Sequence, residues 1–330
     1  MEVLDYPLPE AAIAQQPVEP RDSARLLDAT DGRAVRHRQV RDLPELVASG
    51  DLIVVNNSRV LPARLQLQKG TGGAAEVLLL RADPTGEPRS WLALVRPGRR
   101  LPPGTLLYAA GSGRPVVEVG VAIGDIQRRV RLLEDDVVDE VGTIALPPYI
   151  RQPLLDPERY QTVYADRPGS VAAPTAGLHL TAAVLDRCRE RGAMVESVDL
   201  AVGLGTFLPV TAPTVEDHVM HAERYHVPER TWTACQAADR VIAVGTTTVR
   251  ALETAAATGD LAGETGLYIH GAYPFAVVDV LLTNFHQPRS TLLLMLEAFC
   301  GPRWRELYTE ALAGGYRFLS FGDAMVVARR

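Results

Sequence analysis

Three short runs of this 330-residue chain put imidazole, carboxamide and hydroxyl groups beside glycine or proline, each just ahead of an expected helix. The first is VAAPTAGLHLT, 171–181, which carries Thr175, Gly177 and His179. With almost no bulky side chain before Leu178, it makes a poor core strand and a poor helix, and it lets the backbone approach a ligand closely. Thr181 reads as an N-cap, AAVLDRCRER as the helix body and Gly192 as its stop. A helix N-terminus offers free N–H groups and the positive end of a dipole, which suits a carboxylate or phosphate. The second run, GTTTVRALE (245–253), places Thr246 and Thr247 at another helix start; Arg250 and Glu253, one turn apart, can simply pair with each other. The third, TNFHQPRST (283–291), sets Asn284 and His286 before Pro288, with Ser290 or Thr291 as cap. The competing explanations are ordinary ones: a surface histidine, a cap and a satisfied turn asparagine.

A fourth cluster, HVMHAERYHV (218–227), holds His218, His221, Glu223 and His226. The i, i+3 spacing can bring two imidazoles onto one helical face. It is not HExxH and no cysteine lies nearby, so acid/base or hydrogen-bonding duty is preferred to a metal. VGLGTF (202–207) lacks the third glycine of a dinucleotide fingerprint and the GK[ST] of a phosphate loop; it reads as a tight bend. Cys188, Cys235 and Cys300 form no CxxC pair or disulfide framework, which points to a reducing, cytoplasmic compartment. The acidic, proline-bearing opening is wrong for a signal peptide, and the strongest apolar runs are too short to span a bilayer. A net charge of −6 excludes a protein basic all over, but not a nucleic-acid enzyme with one basic face. Arginine clusters at RPGRR (96–100), in RRVR (128–131) and at Arg151, and Arg59 and Arg64 flank Pro62 at the exit of a strand. Arg59, Arg64, Arg96 and Arg100 are the candidates for phosphate contact, with solvated faces as the alternative.

The elements that must carry these groups change in texture along the chain. RLLDATDGRAVRH reads as a hairpin turning at Asp31-Gly32, LPELVASG as a short helix and DLIVVNNS as a buried strand. ARLQLQ, AEVLLLRA, SWLALVRP, TLLYAA, PVVEVGVAI and RRVRLLE then follow as short, partly alternating segments, the pattern of an all-β barrel or sandwich. After LPPYI the texture becomes strand-loop-helix. MVESVDLAV, RVIAVGT and AVVDVLLTNF are expected strands; 247–257, 290–299 and 303–313 are expected helices. The fold class is therefore α/β, with residues 1–60 and 149–330 as one domain and 61–148 as an all-β insertion.

Taken together, the motifs resemble the S-adenosylmethionine:tRNA ribosyltransferase-isomerase family of queuosine biosynthesis. The matching stretches are RDSARLL, GDLIVVNNSRVLPARL, TGGAAEVLLL, LPPYI, RYQTVYA, GSVAAPTAGLHLT, VGLGTFLPV, HVMHAERYHV, RVIAVGTTTVRALE, VVDVLLTNFHQPRSTLLLMLEAF and YRFLSFGDAM, in order along nearly the whole chain. The resemblance implies a larger, barrel-like α/β domain with a small inserted β-barrel. It implies that S-adenosylmethionine, as co-substrate, donates its ribosyl group to a 7-aminomethyl-7-deazaguanine at the wobble position of a tRNA anticodon stem-loop, releasing adenine and methionine. The sulfonium acidifies the ribose C5′ protons, so a modest base suffices and no metal is needed. On this basis His179 or His221 is the expected base or acid, with Glu223 orienting it or sharing the proton. Thr175, Gly177, Thr246, Thr247 and Arg250 are expected at the amino-acid carboxylate or sugar, and Asn284 and His286 at the nucleobase or sugar. The sequence departs from the family pattern at Ala201, where a His is usual, at Leu180, where a Phe is usual, and at Gly271-Ala272, near a usual Pro-Gly. These departures leave open a paralogue with a small-molecule acceptor, or a catalytically inactive RNA-binding protein.

Overall fold

The computed structural model of the chain describes residues 4–32, 34–124, 126–203, 215, 217, 218 and 220–330. The expected bend at VGLGTF lies, from position 204 onward, outside the described residues. The chain divides into two compact units: Met1–Arg59 with Pro148–Arg167 and Ala173–Arg330, and Val60–Pro147 with Pro168–Ala172. The sequence texture carries no signal that Pro168–Ala172 belongs to the second unit.

Strands β1 (Arg25–Ala29) and β2 (Arg36–Gln39) form the hairpin, antiparallel with Leu26 opposite Arg38. The short helix that follows is a 3-10 helix, Val40–Glu45, shifted toward the N-terminus of its expected position. Pro44 lies inside it and has no N–H to extend an α-helical ladder. Strand β3 (Asp51–Asn56) is buried at every position, as its unbroken apolar run requires, and β4 (Ser58–Val60) follows.

The second unit is a barrel. Its strands are β5 (Arg64–Lys69), β6 (Ala74–Ala82), β7 (Ser90–Arg96), β8 (Thr105–Ala109), β9 (Pro115–Ile123) and β10 (Gln127–Leu132). They are ordered β5-β6-β7-β10-β9-β8, and β8 pairs back onto β5 through Leu67 and Ala109, so the ring closes. In β5, buried Leu65 and Leu67 alternate with exposed Gln66 and Gln68; this period of two was visible in the sequence. A short helix α1 (Val137–Val141) leads into β11 (Gly142–Thr143), which pairs with β5.

The chain then runs through β12 (Arg167–Ser170), α2 (Ala182–Glu190), β13 (Met194–Leu200), β14 (Glu223–His226), α3 (Glu229–Ala237), β15 (Arg240–Val244) and α4 (Thr246–Thr258). It closes with β16 (Ala262–Thr265), β17 (Val280–Asn284), α5 (Thr291–Cys300), α6 (Trp304–Ala313) and β18 (Ala324–Ala328). Nine strands form one mixed sheet, ordered β16-β14-β13-β3-β15-β17-β18-β1-β2. β13, β3, β15 and β17 run parallel; β14 and β18 flank them antiparallel. Among the described residues the end strands β16 and β2 do not pair with each other. Polar, largely exposed ends (RHRQ in β2, AGET in β16) discourage further pairing. The core gathers Leu26, Ile53, Val55, Ile242, Val244, Leu282 and Val326 from the strands, Val184 from α2, and Ala176 and Leu180 from the 171–181 run. Among the described residues no helix is long and apolar enough to cross a membrane.

Of AVVDVLLTNF, only Val280–Asn284 is strand. The backbone N–H groups of Ala276, Val277 and Val278 donate instead to the Glu253 carboxylate, at 2.8, 3.0 and 3.0 Å. Glu253 is 1% exposed, and among the described residues its carboxylate is hydrogen-bonded by these backbone N–H groups. Replacing Glu253 by Ala strands those donors and is expected to cost at least about 3 kcal/mol in a urea unfolding titration. Glu253→Gln, which keeps one acceptor oxygen, should cost less; equal losses for the two would contradict this anchoring.

Candidate functional site

Because β13, β3, β15 and β17 are parallel, their carboxyl ends share one edge. Asn56 stands opposite Val198, and Val244 opposite Leu282. In open α/β sheets, ligands collect outside that edge. Asn56 ends β3, Gly245 and Thr246 join β15 to α4, and Asn284 ends β17.

The 175–179 run reaches this edge as a 3-10 helix, Thr175–His179. Buried Ala176, Leu178 and Leu180 hold it against the core. Gly177 is obligatory there, since a Cβ would come within 1.9 Å of the Tyr164 hydroxyl oxygen. Thr175 Oγ1 donates to Asn284 Oδ1 (2.9 Å), and Asn284 Nδ2 donates to His179 Nε2 (3.1 Å). Three expected site residues thus form one hydrogen-bonded chain. Burial, aided by the charges of Arg317, Arg159 and Arg21, pushes His179 down to about 3, so its imidazole is neutral near pH 7. With Nε2 accepting from Asn284, the single ring proton sits on Nδ1.

Thr246 and Thr247 open α4 behind Gly245, whose φ of +88° turns the chain out of β15. A Cβ at Gly245 would lie 3.6 Å from the Ala176 side chain, so the start of α4 adjoins the 175–179 turn. The N-cap of α4 is Gly245, which has no side chain to cap the first turn, and among the described residues no other side chain accepts from those N–H groups. The Thr247 hydroxyl instead accepts from Asn56 Nδ2 at 3.1 Å. The sequence reading missed Asn56, which ends β3 directly after the buried run Leu52–Val55.

Arg250 does not pair with Glu253, which is committed to the 276–278 backbone. Its partner is Glu223, with both side chains almost fully buried. Arg250 also donates through Nε to Leu267 O (3.1 Å) and through Nη2 to Thr265 O (3.3 Å). The other Glu223 oxygen accepts from Gly203 N at 2.7 Å. The helical face suggested for the histidine cluster does not form. ERYH is strand β14, with Glu223 and Tyr225 buried and Arg224 and His226 exposed, because it pairs with β13 and β16 at a period of two. His221 is exposed ahead of this strand; His218 packs against Tyr268 with ring centroids 5.4 Å apart. Among the described residues no group of three or more His, Cys, Asp or Glu could hold a metal ion.

His286 is set apart from the Thr175–Asn284–His179 chain. Its Nε2 lies 3.0 Å from Thr283 Oγ1, its N–H donates to the Tyr308 hydroxyl at 2.8 Å, and its carbonyl accepts from the Tyr6 hydroxyl. Of the candidate phosphate contacts, Arg59 is bound to Glu158 (2.6 Å) and Arg64 lies 3.7 Å from Glu76. Arg96 and Arg100 are exposed on the barrel, where Arg96, Pro97, Gln66, Gln68 and Glu76 line a groove of about 700 Å³.

An inserted β-barrel in an α/β chain, with polar groups gathered at the carboxyl edge of four parallel strands, defines the class. The chain belongs to the queuosine biosynthesis protein family, whose model matches residues 1–327. It is 49% identical to the S-adenosylmethionine:tRNA ribosyltransferase-isomerase of Thermus thermophilus over 99% of both chains. It is 48% identical to the protein of that name from Gloeobacter violaceus, over 98% of this chain and 94% of the relative. The crystal structure of S-adenosylmethionine tRNA ribosyltransferase from Thermotoga maritima is similar with a TM-score of 0.56 and 33% identity, covering 98% of this chain and 99% of that one.

Burial alone pushes His286 down to about 3 from 6.5. A histidine held neutral in the fold takes up its proton on unfolding, so its contribution to stability is lost as pH falls below 6.5. His286→Gln, which retains a polar group toward Thr283, should therefore lose about 2 kcal/mol less unfolding free energy than the parent chain between pH 6.5 and 4.5. Parallel pH profiles from denaturant titrations would show that His286 is not buried neutral.

Proposed function

We propose that this chain transfers the ribosyl group of S-adenosylmethionine to the aminomethyl group of a 7-deazaguanine at the wobble position of a tRNA anticodon stem-loop, isomerising it to an epoxycyclopentanediol, in the cytoplasm. The observation that carries this is the 49% identity, over 99% of both chains, to a relative bearing that activity in its name. The geometry is compatible with the co-substrate. The first turn of α4 offers N–H groups without a side-chain cap, beside the Thr247 hydroxyl, for an amino-acid carboxylate. The buried Thr175–Asn284–His179 chain adjoins it.

When bound, S-adenosylmethionine supplies a sulfonium that acidifies the neighbouring ribose C5′ protons. The protein must then take and return protons. His221, exposed, is the candidate base. His179 is neutral with its Nε2 lone pair engaged by Asn284, so it acts as a hydrogen-bond donor through Nδ1 and not as a proton-donating acid. Both oxygens of Glu223 are engaged, by Gly203 N–H and Arg250, which suits it to holding the approach to β14, and His221 with it, more than to sharing a proton. His286 supports the 283–290 loop through its contacts to Thr283, Tyr308 and Tyr6. Arg96 and Arg100 are available for RNA phosphates; Arg59 and Arg64 would first have to exchange their carboxylate partners.

A small-molecule acceptor is the second reading, and Ala201 favours it: its backbone pairs with Arg224 O, and its methyl group supplies no acid, base or donor where the resemblance implies a His. The test is adenine release from S-adenosylmethionine by the purified chain, with and without tRNA bearing the aminomethyl base. Release should require that tRNA, and His179→Ala and His221→Ala should each slow it by about 100-fold or more. Full turnover in both variants would remove the assigned roles. Release with a free deazaguanine nucleoside but not with tRNA would favour the second reading.

A further inference from the structure

Asn56 is fully buried and makes four hydrogen bonds. Its Oδ1 accepts from the backbone N–H groups of Ser58 (3.1 Å) and Leu200 (3.2 Å). Its Nδ2 donates to Leu200 O (3.0 Å) and to Thr247 Oγ1 (3.1 Å). Backbone donors on one side and a backbone acceptor on the other allow a single amide orientation. The Thr247 hydroxyl is therefore an acceptor toward Asn56, and its one proton must point elsewhere. The neighbouring Thr248 commits its proton to Val244 O at 2.7 Å, the usual back-bond of a helical threonine. Among the described residues the Thr247 hydroxyl has no corresponding acceptor, and the side chain is only half-buried.

We propose that Asn56 is a positioning residue that fixes the Thr247 hydroxyl as an obligate donor toward the amino-acid carboxylate of the co-substrate, and so makes the site select carboxylate-bearing ligands. This rests on the proposed use of S-adenosylmethionine. Asn56 does not touch the ligand. It sets the direction of a proton at the first turn of α4, where the N–H groups are donors as well. A pocket end built from donors alone binds a carboxylate and leaves an ammonium or alkyl end unpartnered.

The test is calorimetric binding of S-adenosylmethionine and of its decarboxylated counterpart, which keeps the sulfonium, sugar and adenine. The parent chain should prefer the carboxylate ligand. Thr247→Val should lose about tenfold or more in affinity for that ligand and little for the decarboxylated one; Thr247→Ser should restore the preference. Asn56→Asp, whose carboxylate captures the Thr247 proton, should lose the same preference, and combining it with Thr247→Val should add little further loss. Should Asn56→Asp fail to fold, asparagine-labelled parent chain gives the same answer by nuclear magnetic resonance. The Asn56 side-chain amide signal should move with S-adenosylmethionine and stay in place with the decarboxylated ligand. Equal weakening of both ligands by Asn56→Asp, full additivity with Thr247→Val, or an amide signal indifferent to the carboxylate would each overturn the proposal. A parent chain that binds both ligands alike defeats this inference alone; one that binds neither defeats the proposed function with it.

Discussion

A carboxamide buried at the end of a parallel strand must satisfy two donors and two acceptor positions without water, and this requirement organises the candidate site. Asn56 meets it by tying the end of β3 to the backbone of β13 and to the first turn of α4. Asn284, at the end of β17, meets half of it, with one bond through each end of its amide, by joining Thr175 to His179. Each unmade bond in such a place costs about 1–3 kcal/mol, comparable to the whole gain from burying a leucine. The amides therefore dictate where Thr247 and His179 stand, and in which direction each hydroxyl or imidazole proton points.

Charge is handled the same way, by commitment of every oxygen. Glu253 gives its carboxylate to three backbone N–H groups, and Glu223 divides its own between Gly203 and Arg250. A buried pair such as Glu223–Arg250 adds little net stability, because desolvation offsets its attraction; losing one partner leaves an uncompensated charge and costs about 3–5 kcal/mol. Its value lies in register. It fixes the 201–203 segment against β14 and α4 and leaves His221 outside that knot, exposed. His179 is treated oppositely: burial and three nearby arginines keep it neutral, so it offers a hydrogen bond without a charge.

What the sequence disclosed follows from how local each determinant is. The apolar runs DLIVVN and RVIAV betray buried parallel strands, and the alternation in ARLQLQ betrays a barrel wall, because burial acts on each residue in turn. The Thr181 cap and the start of α5 at Ser290 are local hydrogen bonds and were equally legible. The 3-10 turn at 175–179 was not, since it depends on the fit of Gly177 against Tyr164, thirteen positions away along the chain. The spacing of His218 and His221 suggested a helix, yet pairing with β13 and β16 drew the following ERYH into a strand. Arg250 had a nearby carboxylate in Glu253 and chose Glu223 instead, because the 276–278 backbone had already claimed the nearer one. Asn56 passed unmarked because nothing local separates a strand-ending asparagine from a turn.

We propose that the edge formed by Asn56, Thr247, Asn284 and His179 receives the amino-acid end of a sulfonium nucleoside. A crystal structure of the chain with S-adenosylhomocysteine tests it most directly. The ligand's carboxylate is expected on the first-turn N–H groups of α4, within hydrogen-bond reach of Thr247 Oγ1. Density for the ligand at any other place, with that turn left to water, would contradict it.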